Sequence, residues 1–306
     1  MFSKRLIIPG VLLTAGTVVS AGAYAYASST GSDTSGEAPV YLVASLQGRN
    51  EVPGTKGPVG GDRDGQAVEV LRIKGDKVSY TVRWKGITAP TEGHVHAGAA
   101  GVNGAVKIEL FDKPRSGHVA HGTVKVRDKK LLAALRTDPG SFYTNLHTAQ
   151  FPGGAVRGQF HKIAHPVNMK RPAVTSASVV RGAQIYACTR QADGTYAFTQ
   201  HDVAALLDGG IRHSFVRPDA GPPQWIAPDG SAVTGKVVTK TANGQDNIPE
   251  LDLTATQAGR PGGLLSRTGE VLRLNTVGGT APKGTCDPGR TPIAQTPYRA
   301  DYLFIG

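Results

Sequence analysis

Two imidazoles stand two residues apart at His94-Val95-His96. On an extended strand such residues project from one face, so both rings can reach a single ion. His147, beside Asn145, can supply a third nitrogen, and His161 follows Arg157 and Gln159 at strand spacing as a further ligand. His118 and His121 sit near a turn and could complete a site from another edge. Imidazole donors select Cu(II) or Zn(II) over calcium and magnesium, which take oxygen. The competing reading makes His94 and His147 hydrogen-bonded framework residues of the fold.

Other residues invite chemistry less. Trp225, beside Pro222 and Pro223, could offer a flat platform to a sugar or a proline-rich peptide. With only two tryptophans in the chain, core packing is the stronger use for it. Ser231 lies in Asp229-Gly230-Ser231 rather than in a Gly-x-Ser-x-Gly elbow. His213 with Asp229 or Asp301 imitates a triad only by free choice among many residues. No glycine-rich phosphate loop follows a strand and no EF-hand spacing occurs, which argues against nucleotide chemistry. The two cysteines, Cys188 and Cys286, lack CxxC spacing and are expected to form one disulfide.

The elements that must position these groups are strands. Val78, Tyr80, Val82 and Trp84 alternate with polar residues, giving one apolar and one wet face. Ala67 to Lys74 should pair with that strand through the two-residue connection Gly75-Asp76. Alternation recurs at Val106, Ile108 and Leu110, at Val124 and Val126, and from Val156 to Phe160. One helix is expected, Lys129 to Arg136, ended by Asp138-Pro139-Gly140. Further on, short strands are expected around Tyr186, Tyr196, His213, Val233, Leu272 and Tyr302, with helical character only at His201 to Leu207. The class is all-β: two β-sandwich or barrel-like domains, residues 40–164 and 173–306, joined by a proline-bounded linker at 165–172.

The beginning of the chain reads differently. Lys4 and Arg5, an apolar stretch from Leu6 to Val19 and overlapping Ala-x-Ala sites ending at Ala27 have the order of a cleavable secretory leader, residues 1–27. Residues 28–39 contain nothing apolar larger than Ala until Pro39 and read as a flexible linker. No later run is long enough to span a bilayer as a helix. The formal charge of +11 falls to +9 without Lys4 and Arg5, and the remaining cations are scattered. That pattern fits weak association with anionic wall polymers and does not form a specific nucleic-acid surface.

Four strings carry a resemblance: Leu46 to Pro53, Gly93 to Gly104, Tyr143 to Thr148, and Pro152 to Gln159. In this order they resemble the CHRD domain of chordin-like proteins, which implies an immunoglobulin-like β fold in a secreted protein. The first domain is also similar, more faintly, to copper-zinc superoxide dismutases. That likeness implies His94, His96 and His147 as copper ligands and Arg157 as an anion-attracting residue, although counterparts of the family's zinc-loop histidines and loop disulfide are missing. In the second half, Gly182 to Cys188, Gly221 to Trp225, Pro228 to Ser231, Arg273 to Gly279 and Tyr298 to Tyr302 resemble the DUF3455 family of secreted domains of unknown function.

The reading that results is a secreted, extracellular or wall-associated binding protein without a clear catalytic set, its first domain a candidate for holding a copper or zinc ion. Its partners would be cell-wall polymers or another extracellular protein. The alternatives are a copper-dependent redox or metal-handling protein, and carbohydrate binding through Trp225.

Overall fold

The computed structural model describes residues 37–54, 60–219 and 221–306. The expected leader and most of the linker after it lie outside these residues. Among the described residues strands dominate, with a single α-helix, and the all-β class holds. No described helix is long and apolar enough to cross a membrane.

The first half contains β1 (Val40–Gln47), β2 (Gln66–Lys74), β3 (Lys77–Lys85), β4 (Pro90–Ala97), β5 (Val106–Phe111), β6 (Val119–Lys125), α1 (Lys129–Thr137), β7 (Phe142–Thr148), β8 (Val156–Gln159) and β9 (His161–Ile163). The β2–β3 hairpin turns at Gly75, whose φ of 56° is open to glycine, and Lys74 pairs with Lys77. The alternating residues of β3 all point inward: Val78, Tyr80, Val82 and Trp84 are buried beside Leu42, Leu71, Val95 and Leu146. The strands run β5-β4-β7-β8-β1-β2-β3-β6, with β9 also on β1. The two ends of this order, β5 and β6, are consecutive in the chain, so the sheet curls into a barrel-like form.

The helix begins where Asp128 accepts hydrogen bonds from the backbone N–H of Lys130 (2.9 Å) and Leu131 (3.0 Å), an N-cap. Leu132 and Leu135, three apart on one face, are buried in the first core.

The second half is a closed antiparallel barrel. Its strands are β10 (Val174–Arg190), β11 (Tyr196–Leu207), β12 (Arg212–Phe215), β13 (Pro223–Ile226), β14 (Ala232–Thr241), β15 (Glu250–Gln257), β16 (Glu270–Gly278) and β17 (Ile293–Ile305). Each pairs with the next and β17 pairs back onto β10, which leaves no sheet edge. Cys188 and Cys286 form the expected disulfide, with Cα atoms 5.9 Å apart across a separation of 98 residues.

One expectation fails here, and one alternative gives way to the core packing favoured over it. His201 to Leu207 is not helical but the end of β11, because hydrogen bonding to β10 and burial of Val203 and Leu207 in the barrel outweigh the helix preference of Ala and Leu. Trp225 is no ligand platform: it is 1 % exposed, stacks on His213 at 4.6 Å between ring centroids, and packs edge-on against Tyr302 and Phe304.

A third core lies between the halves. Val43 and Val70 on the outer face of β1 and β2 meet Val174, Leu272, Leu303 and Ile305 of the barrel, with Val167 of the connector buried among them. Asp301, 0 % exposed, accepts hydrogen bonds from Arg49 (2.6 Å), Ser178 (2.6 Å) and Asn275 (2.6 Å). Glu270 accepts the N–H groups of Ala164 and His165, and Arg83 donates to the carbonyls of Pro172 and Val174. The connector is thus fastened at both ends.

Candidate metal centre

Val95 points into the first core, so strand alternation turns His94 and His96 to the opposite face of β4. β4 pairs with β7 in the register His94↔Asn145 and His96↔Tyr143, with Glu92 opposite His147. His147 therefore lies diagonally across from His94, within reach of its ring. One ring nitrogen from each of His94, His96 and His147 falls within 4.8 Å of the others. Among the described residues this is the group of three or more potential ligands that can hold a metal ion.

Backbone carbonyls set the tautomers. His96 Nδ1 donates to the carbonyl of Gly104 at 2.9 Å, and His147 Nδ1 donates to that of Pro152 at 2.9 Å. Each ring then directs Nε2 toward the centre. His94 Nδ1 faces His147 Nε2 at 3.1 Å, while His94 Nε2 lies 3.8 Å from the carboxylate of Glu92. His96 Nε2 is buried without a hydrogen-bond partner. Burial, reinforced by the neighbouring imidazoles, lowers the His94 pKa to about 4. Burial also lowers that of His96, against the opposing pull of its bond to Gly104. His94 at least is neutral at pH 7, the state a ligand requires.

Gly104 is required at its position. A Cβ there would lie 1.5 Å from the carbonyl oxygen of Ala97, so no other residue brings the loop close enough to hold His96. The ring of His96 stacks on Tyr143 at 4.7 Å and 6°. Asn145, between Tyr143 and His147 on the same face, donates to Glu51 at 3.1 Å, and burial raises the Glu51 pKa to about 7 despite nearby Arg157.

The remaining sequence candidates go elsewhere. His161 is corrected as a ligand of this centre: it sits on β9 opposite Val43, with Nε2 3.9 Å from Glu250 Oε2, because β9 pairs with β1 rather than with β4 or β7. It lines a cleft of about 1050 Å³ where the halves meet, together with Arg49, Glu51, Glu250, Asp252 and Arg299. His118 and His121 lie before and within β6, at the other end of the strand order. Arg157 is corrected as an anion attractor. It is 1 % exposed, and its guanidinium donates to Asn103 Oδ1 and to the carbonyls of Ala99 and Val102.

Sequence reasoning missed Tyr143, Gly104 and Asn103 as parts of the centre. All three stand in the strings that carried the CHRD resemblance, but only the fold lays residues 99–104 over β7 and β8.

Residues 42–160 match the CHRD domain family, and residues 209–306 match the family described as protein of unknown function DUF3455. No curated protein and no solved structure matches the chain. The second barrel closes only with β10 and β11, which precede the matched segment. The chain carries a CHRD domain, which holds the three-histidine cluster, followed by a DUF3455 domain.

Proposed function

We propose that the protein is an extracellular binding protein whose CHRD domain holds a transition-metal ion, copper in preference to zinc, between His94, His96 and His147. The observation that carries this reading is the convergence of three ring nitrogens within 4.8 Å, two of the rings being oriented by backbone carbonyls. Metal–nitrogen bonds of ~2.0–2.1 Å require donors roughly 3.3 Å apart, a spacing the His94–His147 pair already has at 3.1 Å. With the three nitrogens within 4.8 Å of one another, the His96 ring has to close by up to about 1.5 Å to match. His94 presents Nδ1 once its proton resides on Nε2, beside Glu92. Copper exceeds zinc in affinity for such nitrogen sites by the Irving–Williams order. Three protein donors leave a coordination position open, which suits an ion that is exchanged or handled. The disulfide, and the leader-like order of residues 1–27, support an oxidising, extracellular setting.

The test is a Cu(II) and Zn(II) titration of the protein with metal analysis, beside a His94→Ala/His96→Ala double variant. The reading expects one equivalent of copper in the wild type and none in a folded variant. Equal uptake by both proteins, or uptake by neither, refutes it. A dismutase assay of the copper-loaded protein separates metal handling from redox catalysis.

A further inference from the structure

We infer that Arg157 is the positioning residue for the His96 arm of this centre, acting through the loop of residues 99–104 that dictates which nitrogen of His96 faces the ion. The inference rests on the metal reading above.

Arg157 lies on β8, next to β7, with Asn145 as its paired residue. Its Nη2 donates to the carbonyls of Ala99 (3.0 Å) and Val102 (2.8 Å), and Nη1 donates to Asn103 Oδ1 (3.1 Å). Gln159, two residues on and on the same face, donates to the carbonyl of Gly98 at 3.0 Å. These bonds hold the segment that ends in Gly104. Gly104 then makes two bonds of its own: its N–H donates to Tyr143 Oη at 3.1 Å, and its carbonyl accepts His96 Nδ1.

A second path runs through the rings. The guanidinium carbon of Arg157 lies 3.4 Å above the Tyr143 ring, and Tyr143 stacks in parallel on His96. Arg157, Tyr143 and His96 form one stack, laced along its side by the loop. A fully buried guanidinium is costly to desolvate, and here the hydrogen-bonded compensation comes from loop acceptors, with the Glu51 carboxylate adding attraction from nearby. The far end of the stack is His96 Nε2, buried and without a hydrogen bond, an arrangement that a bound ion would satisfy. Only a planar fork reaches several acceptors at once while stacking on an aromatic face, so lysine cannot substitute.

The experiment follows the His96 tautomer by long-range 1H–15N correlation in the metal-free protein, and Cu(II) affinity by competition titration. It compares the wild type with Arg157→Lys and with Asn103→Ala, an exposed loop residue that loses one clamp contact. Expected are a single Nδ1–H tautomer in the wild type and mixed tautomers in Arg157→Lys. Copper affinity in that variant should fall about 10- to 100-fold at unchanged stoichiometry, with a smaller shift in the same direction for Asn103→Ala. Wild-type tautomer and affinity within twofold in both variants overturn the inference. Should Arg157→Lys not fold, Asn103→Ala decides on the same criteria. If the wild type takes up no copper, the metal reading fails while the tautomer still decides the clamp.

Discussion

Glu69 sits inside the first barrel with none of its surface exposed, on the same face of β2 as Ala67, Leu71 and Ile73. Thr144 Oγ1 donates to its Oε2 at 2.6 Å, and Oε1 has no partner. Burial raises its pKa from 4.5 to about 8, against the opposing bond from Thr144. Between these values the unfolded chain releases a proton that the folded chain keeps. The stabilisation is therefore complete below pH 4.5 and is lost as pH rises through about 8. At ~1.4 kcal/mol per pH unit the ceiling is about 5 kcal/mol, and the loss between pH 5 and 7.5 is about 3 kcal/mol. Glu69→Gln keeps the shape of the protonated acid and removes the titration. Urea unfolding followed by tryptophan fluorescence, with Trp84 in the same core, measures both proteins at the two pH values. The variant should gain about 3 kcal/mol relative to the wild type on going from pH 5 to 7.5. A relative change below about 1 kcal/mol would mean that Glu69 is not held protonated and would refute the argument.

Trp225→Ala should cost roughly 3–5 kcal/mol through the cavity left among His213, Tyr302 and Phe304. A variant of wild-type stability that had lost retention on cell-wall material would restore the platform reading. Asp301→Ala should destabilise the whole molecule by about 3 kcal/mol, the low end for a broken buried pair because Arg49, 37 % exposed, can rehydrate. Calorimetry of the wild type should show one transition for both halves, and two well-separated transitions would refute a shared core.

What the sequence determined by itself was local. Period-two alternation places Val78 to Trp84 on a half-buried strand, Gly75-Asp76 turns it back, and Lys129 to Arg136 is a helix ended by proline. Two cysteines without CxxC spacing, in a chain whose first residues read as a secretory leader, imply one bond. The pair His94 and His96 is legible for the same reason, since two residues on a strand share a face whatever the rest of the fold does. Tertiary structure decided whatever depends on which strands become neighbours. It brought His147 to the pair and sent His161 to the cleft, although both histidines follow strand spacing, because β7 pairs with β4 and β9 with β1. It turned His201 to Leu207 into strand because closing the barrel supplied hydrogen bonds and burial that local propensity cannot match. It also spent Arg157 on a loop more than fifty residues earlier in the chain. Periodicity records the face on which a side chain stands; the partner opposite that face is set by long-range pairing, whose energy is distributed over the whole sheet and leaves no mark on the spacing of any one strand.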